Sequence, residues 1–222
     1  MSFFSSAKTI IQRYKHAWVL LYVLIYIPWF LYLEQHVTTN YYTIHSAIDD
    51  YIPFVEYFII PYALWFAYIA LTIGYFFFTD TKGFYRLTAY LFSGMTICLL
   101  ICTVFPNGLA LRPEVFVRDN IWVDMVKTLY QTDTPTNVLP SIHVFNSIVA
   151  YIAISRCERL KDKKFIRYGA LILSISIVLS TMFLKQHSII DVIMAVGLAL
   201  ILYPFIYMVE VKKERQLSKQ PI

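Results

Sequence analysis

Long apolar runs, separated by short polar segments, recur along the whole chain. Six runs approach or exceed the roughly 20 residues that a helix needs to cross a bilayer, at 17–33, 54–78, 87–105, 138–155, 165–184 and 187–209. The pattern predicts an all-α polytopic membrane protein with six transmembrane helices. No polar stretch is long enough for a second domain, so residues 1–222 are expected to form a single membrane-embedded domain.

The longest polar segment, 106–137, lies between the third and fourth runs and has an amphipathic pattern of its own. Apolar residues recur there at helical spacing, at Ile121, Trp122, Met125, Val126 and Leu129. This spacing predicts a short interfacial helix in the outer loop between helices three and four, lying flat at the membrane surface. A loop helix that only packs on the bundle is the alternative.

Composition and charge favour a membrane protein over a soluble or nucleic-acid-binding one. The chain is 59% hydrophobic and 15% charged, whereas soluble domains are roughly half apolar and about a quarter charged. The net charge of +5 comes from basic residues between the apolar runs. We therefore expect membrane lipids as partners and no nucleic acid.

The distribution of charge predicts the orientation. Fifteen of the 19 basic residues lie in segments that are cytoplasmic if both termini are cytoplasmic, and nine of the 14 acidic residues lie on the opposite side. By the positive-inside rule, both termini are cytoplasmic. Compact loops and the absence of an Asn-x-Ser/Thr site favour a bacterial plasma membrane.

Ionisable residues cluster at the outer ends of the last three runs, where side chains in a bilayer usually face a polar cavity. His187 and Asp191 are four residues apart, so on a helix they share one face. A carboxylate there can fix the imidazole tautomer and prepare a histidine nucleophile. A His–Asp pair that only ties helices together is the alternative.

Two further segments carry candidate phosphate ligands. In Pro140-Ser141-Ile142-His143, the proline suits the first turn of a helix whose early amides can face an anion. Arg112 could bring a planar guanidinium to the same level. Taken singly, a histidine at a helix start is often structural, and an arginine at the end of a span often only snorkels to the interface.

Together these motifs resemble the signature of the type 2 phosphatidic acid phosphatase family. Arg-Pro at 112–113, Pro-Ser-x-His at 140–143 and Ser-Thr-x5-His-x3-Asp at 180–191 occur in the family's order. The sequence also looks like the variant branch related to inositol phosphorylceramide and sphingomyelin synthases. The resemblance covers residues 112–191 closely and implies a six-helix membrane core.

The resemblance also implies a role for each matching residue. His187 matches the histidine that attacks phosphorus and becomes a phosphohistidine, and Asp191 matches the carboxylate that orients it. His143 matches the general acid that protonates the leaving oxygen. Arg112 and Ser141 match phosphate ligands.

Two departures leave the expected site short of positive charge. Phe105 and Thr181 stand where the family has the lysine of its first motif and the arginine of its third. If the fifth helix continues far enough, Lys185 follows Thr181 by one turn on the same face. Lys185 is therefore predicted to bind phosphate in their place, with Arg118 and Lys127 as weaker candidates.

The function implied is metal-independent hydrolysis of a lipid phosphomonoester or pyrophosphate through a phosphohistidine at the non-cytoplasmic face. Candidate substrates are phosphatidic acid, phosphatidylglycerol phosphate and isoprenyl pyrophosphate, and no cofactor is expected. The first alternative is a phosphotransferase that passes a phospho-head group to a lipid alcohol. The second is a small transporter or flippase, although no helix broken near mid-membrane is evident.

The residue types would also suit zinc, which two histidines and an aspartate could bind with an open position. Arg112 and Lys185 beside such a site would repel a cation and favour an anion. The sequence therefore favours a phosphate site over a metal site.

Overall fold

The computed structural model describes the backbone of residues 12–217 and the side chains of residues 12–207. Eight α-helices occur in this range: α1 (Val23–His36), α2 (Ala47–Tyr51), α3 (Ile59–Thr79), α4 (Thr81–Val104), α5 (Ile121–Thr132), α6 (Ile142–Arg156), α7 (Lys164–Phe183) and α8 (Ile189–Leu217). Short 3-10 segments and two-residue strands complete the described elements: Lys15–Tyr22, Glu56–Phe58, Glu158–Leu160, β1 (Tyr42–Thr43) and β2 (Asn107–Gly108). The all-α prediction is confirmed. Two of the fifteen basic residues assigned to the cytoplasmic side, Lys8 and Lys219, lie outside the described residues.

Five of the helical segments in the described range are long and apolar enough to cross a membrane. They are Lys15–His36, Glu56–Thr79, Thr81–Val104, Lys164–Phe183 and Ile189–Tyr207. The run at 138–155 forms only the 15-residue helix α6, about 22 Å long at 1.5 Å per residue against a hydrocarbon core of about 30 Å. The count of six spans is therefore not confirmed.

The long helices carry large apolar side chains on their outward surfaces. Leu24, Leu71 and Leu200 are 69%, 74% and 69% exposed. Exposed apolar surface repeated around a bundle is costly in water and favourable against lipid tails. The protein is an integral membrane protein.

Helix α6 lies at the centre of the bundle and contacts α3, α4, α7 and α8. Its Val144, Phe145 and Val149 are fully buried. The ring of Phe145 packs so closely on Gly94 of α4 that a Cβ at Gly94 would lie 2.0 Å from it. A short helix that packs against four others thus supports the residues at its amino-terminal end.

The predicted helix in segment 106–137 is present as α5. Asn120 caps it by accepting the N–H groups of Trp122 and Val123 at 3.0 Å. Val123 and Val126 are buried, whereas Ile121 is 67% exposed. The helix therefore packs on the bundle along one edge and keeps apolar surface exposed, and its position at the membrane interface remains a prediction.

A small network of backbone pairs joins the loops that lead to α6. Strands β1 and β2 pair in parallel, and Gly108 of β2 also bridges Thr136. The buried side chain of Asn107 accepts the N–H groups of Val138 and Leu139 at 2.9 and 2.8 Å. These bonds hold the segment that enters α6, where His143 lies.

Candidate active site

One cavity, about 450 Å³ in volume, lies among α1, α3, α5, the start of α6 and the loop before α8. His143 and His187 both line it. Their ring centroids are 6.0 Å apart, at an interplanar angle of 56°. Two imidazoles from distant sequence motifs therefore face the same cavity.

Asp191 holds the ring of His187 from behind the cavity wall. The Nδ1 atom of His187 lies 3.2 Å from Oδ2 of Asp191, which is fully buried and also accepts the Ser188 N–H at 2.9 Å. An acceptor at Nδ1 favours the tautomer with its proton there, which leaves Nε2 as the basic nitrogen. His187 precedes α8 instead of lying in it, so the predicted pairing is present with a loop histidine.

His143 is the second residue of α6 and is held between two aromatic side chains. Its ring stacks on Tyr62 at 4.7 Å between centroids and lies 4.4 Å from that of Trp65. The hydroxyl of Tyr62 donates to Asp133 at 2.9 Å. The aromatic contacts fix the plane of the imidazole at the cavity wall.

Arg112 does not line the cavity but binds Gln186, which does. Its guanidinium donates to the backbone carbonyls of Tyr130 and Asp133 at 3.1 and 2.7 Å and to Oε1 of Gln186 at 2.6 Å. Burial lowers the pKa of Arg112, and the charge of Asp133 opposes that shift. The guanidinium also lies over the Tyr130 ring, 4.4 Å from its centroid. The predicted phosphate ligand is thus a partly buried cation that lies behind Gln186 and does not itself line the cavity.

Gln186 was not singled out by the sequence, although it precedes His187. It lines the cavity, is 4% exposed, and its Nε2 has no hydrogen-bond partner. Because Arg112 binds Oε1, Nε2 is the end of the amide that is left without a partner. Buried donors are rarely left unpaired in proteins, so this group is suited to an oxygen of a bound ligand.

Ser141 is fully buried and does not contribute to the cavity wall. Its Oγ caps α6 by accepting the Val144 N–H at 3.3 Å, and its own N–H donates to the Asp191 carbonyl at 3.3 Å. These contacts connect the segment of His143 with that of Asp191. The geometry favours a positioning role for Ser141 over the predicted role as a phosphate ligand.

The expected place of Lys185 is wrong, because α7 ends at Phe183. Lys185 has a positive φ of 53°, so it does not continue the helical face of Thr181. Its ammonium group donates to the backbone carbonyls of Asp49 and Ile52 at 2.8 and 2.5 Å. Lys185 therefore fastens a loop to the bundle and does not line the cavity.

The two weaker cation candidates also bind elsewhere. Arg118 pairs with the buried Glu56 at 3.2 Å, and Lys127 pairs with Asp124 at 3.2 Å on the surface of α5. Neither contributes to the cavity wall. None of the three predicted residues thus lines the cavity in place of the lysine and arginine that the resemblance leads us to expect.

Asp49 is a buried carboxylate that the sequence did not identify as part of the site. Its two oxygens accept the Ser188 hydroxyl at 2.6 Å, the Ile189 N–H at 2.8 Å and the Ser46 N–H at 2.8 Å. It is 1% exposed. Asp49 therefore holds the start of α8 directly beside His187. Lys185 binds the backbone of the segment that contains Asp49.

We expect Asp49→Asn to lower kcat about tenfold with little change in KM. The side-chain amide of the introduced asparagine would turn its own N–H donor toward at least one of the donors that Asp49 now accepts. A buried donor without an acceptor costs about 1–3 kcal/mol. We expect part of that cost to appear as misplacement of His187. Steady-state kinetics on the purified protein would measure both constants. Asp50→Asn, in an exposed pair with His45, is the matched control. A fall in thermal stability with unchanged kcat would assign Asp49 a purely structural role.

Within the part of the chain whose side chains are described, no three histidine, cysteine, aspartate or glutamate side chains come together as a possible metal site. The sequence model of a protein family, the PAP2 superfamily, matches residues 87–215. That range contains Arg112, His143, His187 and Asp191. Comparisons with curated proteins and with solved structures gave no match.

Proposed function

Because this match spans more than half of the chain, the protein belongs to the PAP2 superfamily, and we propose that it is a lipid phosphatase that works through a phosphohistidine. The family supports a membrane lipid enzyme of the phosphatase or phosphotransferase type. The specific part of the proposal, a phosphohistidine on His187, rests on one observation. His143 and His187 face each other across one cavity, with Asp191 bound to the distal nitrogen of His187.

In the first step, Nε2 of His187 attacks phosphorus and forms the N–P bond as the bond from phosphorus to the lipid oxygen breaks. His143 gives its proton to that oxygen, so the lipid leaves as a neutral alcohol. In the second step, water attacks phosphorus, the N–P bond breaks, and the water proton returns to His143. Asp191 stabilises the positive charge that develops on the His187 ring.

The transferring phosphoryl group carries negative charge on its equatorial oxygens, and fixed donors stabilise that charge without reorganising. Gln186, which lines the cavity, is the proposed donor, and Arg112 holds its amide in place and adds a partly buried positive charge. Removal of one donor of this kind typically costs about 10²–10³ in kcat. In this proposal, Arg112 and Gln186 supply part of the charge stabilisation that the family obtains from the lysine and arginine that are replaced here by Phe105 and Thr181.

A lipid substrate can reach this site from the side of the bundle. Phe66 lines the cavity and is also 63% exposed on the outward surface of α3. A path past this side chain would leave the acyl chains among membrane lipids while the phosphate enters. With the orientation predicted from the basic residues, the site opens near the non-cytoplasmic face.

Transfer to a lipid alcohol is the second candidate. Much of the wall is apolar or aromatic, and the volume of about 450 Å³ exceeds what a phosphate and one water occupy. A second lipid hydroxyl could therefore take the place of the attacking water. The same two imidazoles would serve both reactions.

Purified protein in detergent with EDTA, offered a panel of lipid phosphates, tests the proposal. The panel contains phosphatidic acid, phosphatidylglycerol phosphate, isoprenyl pyrophosphate and phospholipid-plus-alcohol pairs. Released phosphate or phospho-alcohol in the presence of EDTA supports hydrolysis, and a new phospholipid without that release supports transfer. Turnover that requires added metal would contradict the proposed mechanism.

A further inference from the structure

A second, smaller cavity lies at the end of the bundle opposite to the imidazoles. It is about 100 Å³ in volume, and its wall includes Arg86 of α4, Arg156 of α6 and Tyr207 of α8. Arg156 is the last residue of α6 and His143 is the second, so the two are about 20 Å apart along the helix at 1.5 Å per residue. This cavity is therefore separate from the candidate active site.

The side chain of Arg156 is held in place by two aromatic rings. Its Cζ atom lies 5.0 and 5.3 Å from the ring centroids of Tyr203 and Tyr207, which stack on each other at 5.2 Å. In the part of the chain whose side chains are described, Arg156 makes no hydrogen bond or ion pair. A guanidinium that lies over an aromatic face keeps the N–H donors at its edge available. Arg156 is thus fixed in orientation with its donors unused, which an arginine that only snorkels to water does not require.

Two carboxylates also line this cavity, and each has a partner of its own. Asp80 caps α4, and its Oδ1 accepts the Gly83 N–H at 3.0 Å, where the helix dipole favours a negative charge. Glu158 lies 3.7 Å from the ammonium group of Lys161. Neither carboxylate forms an ion pair with Arg156, so the guanidinium remains able to bind an anion from outside the chain.

The segment that follows α6 adds positive charge and exposed aromatic side chains at the same level. Phe165 and Tyr168, at the start of α7, are 91% and 62% exposed. Residues 156–167 contain two acidic residues and six basic ones: Arg156, Arg159, Lys161, Lys163, Lys164 and Arg167. Aromatic and basic residues together are typical of the membrane interface, where basic clusters attract anionic lipids. The phosphate of a phospholipid is therefore the anion that this level of the protein meets most often.

We propose that this second cavity binds the head-group phosphate of an anionic phospholipid. Arg156 is the main ligand, because a guanidinium fork can donate two parallel hydrogen bonds to phosphate, and Arg86 and Tyr207 lie beside it. The lipid is a bound ligand and not a substrate, so the proposal does not depend on the phosphohistidine. With the orientation predicted from the basic residues, this lipid belongs to the cytoplasmic leaflet.

The test titrates the purified full chain in detergent with phosphatidylglycerol or with phosphatidylcholine of the same acyl chains, and native mass spectrometry measures the bound lipid. We expect Arg156→Ala to raise the apparent Kd for phosphatidylglycerol about tenfold, the loss expected for a charge-assisted, bidentate contact, with no change for phosphatidylcholine. Arg156→Lys should recover only part of the affinity, because lysine keeps the charge but lacks the planar fork. An unchanged Kd in Arg156→Ala would overturn the site.

Arg159→Ala is the matched control. It removes the same charge from the same segment, but Arg159 is exposed and does not line the cavity. We expect little change in Kd, and equal losses in the two alanine variants would mean diffuse attraction to the basic segment and no site. Inorganic phosphate distinguishes the two sources of the anion. Displacement of phosphatidylglycerol by an equal concentration of free phosphate would overturn the lipid as the ligand.

A measurement on the wild type covers the case in which an Arg156 variant does not fold. Phenylglyoxal modifies accessible guanidinium groups, and peptide mass mapping follows Arg156 and Arg159 in the same molecule. Phosphatidylglycerol at about ten times its Kd is expected to slow the modification of Arg156 about tenfold, since 1 + [L]/Kd sets the fraction of sites left free. Arg159 should be modified at an unchanged rate. Equal protection of both arginines, or of neither, would overturn the proposal.

Discussion

Replacing His187 by alanine is expected to reduce turnover by roughly 10⁴-fold or more while the protein remains folded. Loss of a covalent nucleophile removes the whole two-step route, and losses of that order are typical of such residues. The Asp191 carboxylate keeps the Ser188 N–H as a partner in the variant. Incubation with a substrate radiolabelled at phosphorus, followed by denaturation in base, should leave acid-labile label on the wild type and none on His187→Ala.

The chain offers a matched control for this experiment. His45 and Asp50 form a second His–Asp pair, 2.8 Å apart, which is exposed and outside the cavity. His45→Ala is expected to retain wild-type turnover and wild-type labelling. Ordinary turnover by His187→Ala, or label retained on it, would exclude His187 as the nucleophile.

The imidazole pair could be predicted from the sequence because each motif is short and carries its own local geometry. His143 follows Pro140, so a helix start was expected there, and α6 begins at Ile142, with Pro140 just outside it and Ser141 as the cap. His187 and Asp191 were expected on one helical face. They do meet, but through a loop that ends at Ser188, because α7 stops at Phe183 and Lys185 adopts positive φ. Because α7 ends at Phe183, Lys185 does not share the helical face of Thr181 on which its predicted place depended.

Residues contributed by distant loops could not be predicted in this way. Asp49 meets Ile189 across about 140 positions of sequence, and Glu34 meets Thr134 across about 100. Each looked like an ordinary acidic residue near the end of an apolar run. Their roles depend on which loops pack together, and no periodicity of a single segment contains that information. Gln186 was overlooked because it lies at an unspecified position of its motif.

The number of spans illustrates the limit of hydropathy. The run at 138–155 is apolar enough to be taken for a span, but Leu139 and Pro140 are held in a non-helical segment and α6 begins only after them. Non-helical backbone inside a membrane protein is tolerated where protein surrounds it, and Val138 and Ser141 are buried. A hydropathy window cannot distinguish a full crossing from a shorter helix enclosed by its neighbours.

Replacing His143 by phenylalanine is expected to lower kcat/KM for a lipid substrate by about 10²–10⁴-fold, the usual contribution of a positioned acid. Phenylalanine preserves a ring between Tyr62 and Trp65, so the packing of the wall should survive while the proton is lost. A lipid alkoxide is a poor leaving group and needs that proton. A nitrophenolate leaves without one, so formation of the phosphohistidine from nitrophenyl phosphate should be nearly unaffected.

The second step separates this role from a general loss of structure. In the proposed second step His143 also accepts the proton of the attacking water, so we expect the variant to release about one nitrophenolate per protein molecule in a rapid burst and then to turn over slowly. Stopped-flow absorbance measures the burst, and the wild type on the same ester shows whether both steps proceed quickly when the imidazole is present. An equal loss of burst rate and of lipid turnover would mean that His143 shapes the cavity without handling the proton. A full burst followed by slow turnover would support His143 as the acid of the first step and the base of the second. Nitrophenolate needs no acid in order to leave, whereas the attacking water still needs a base.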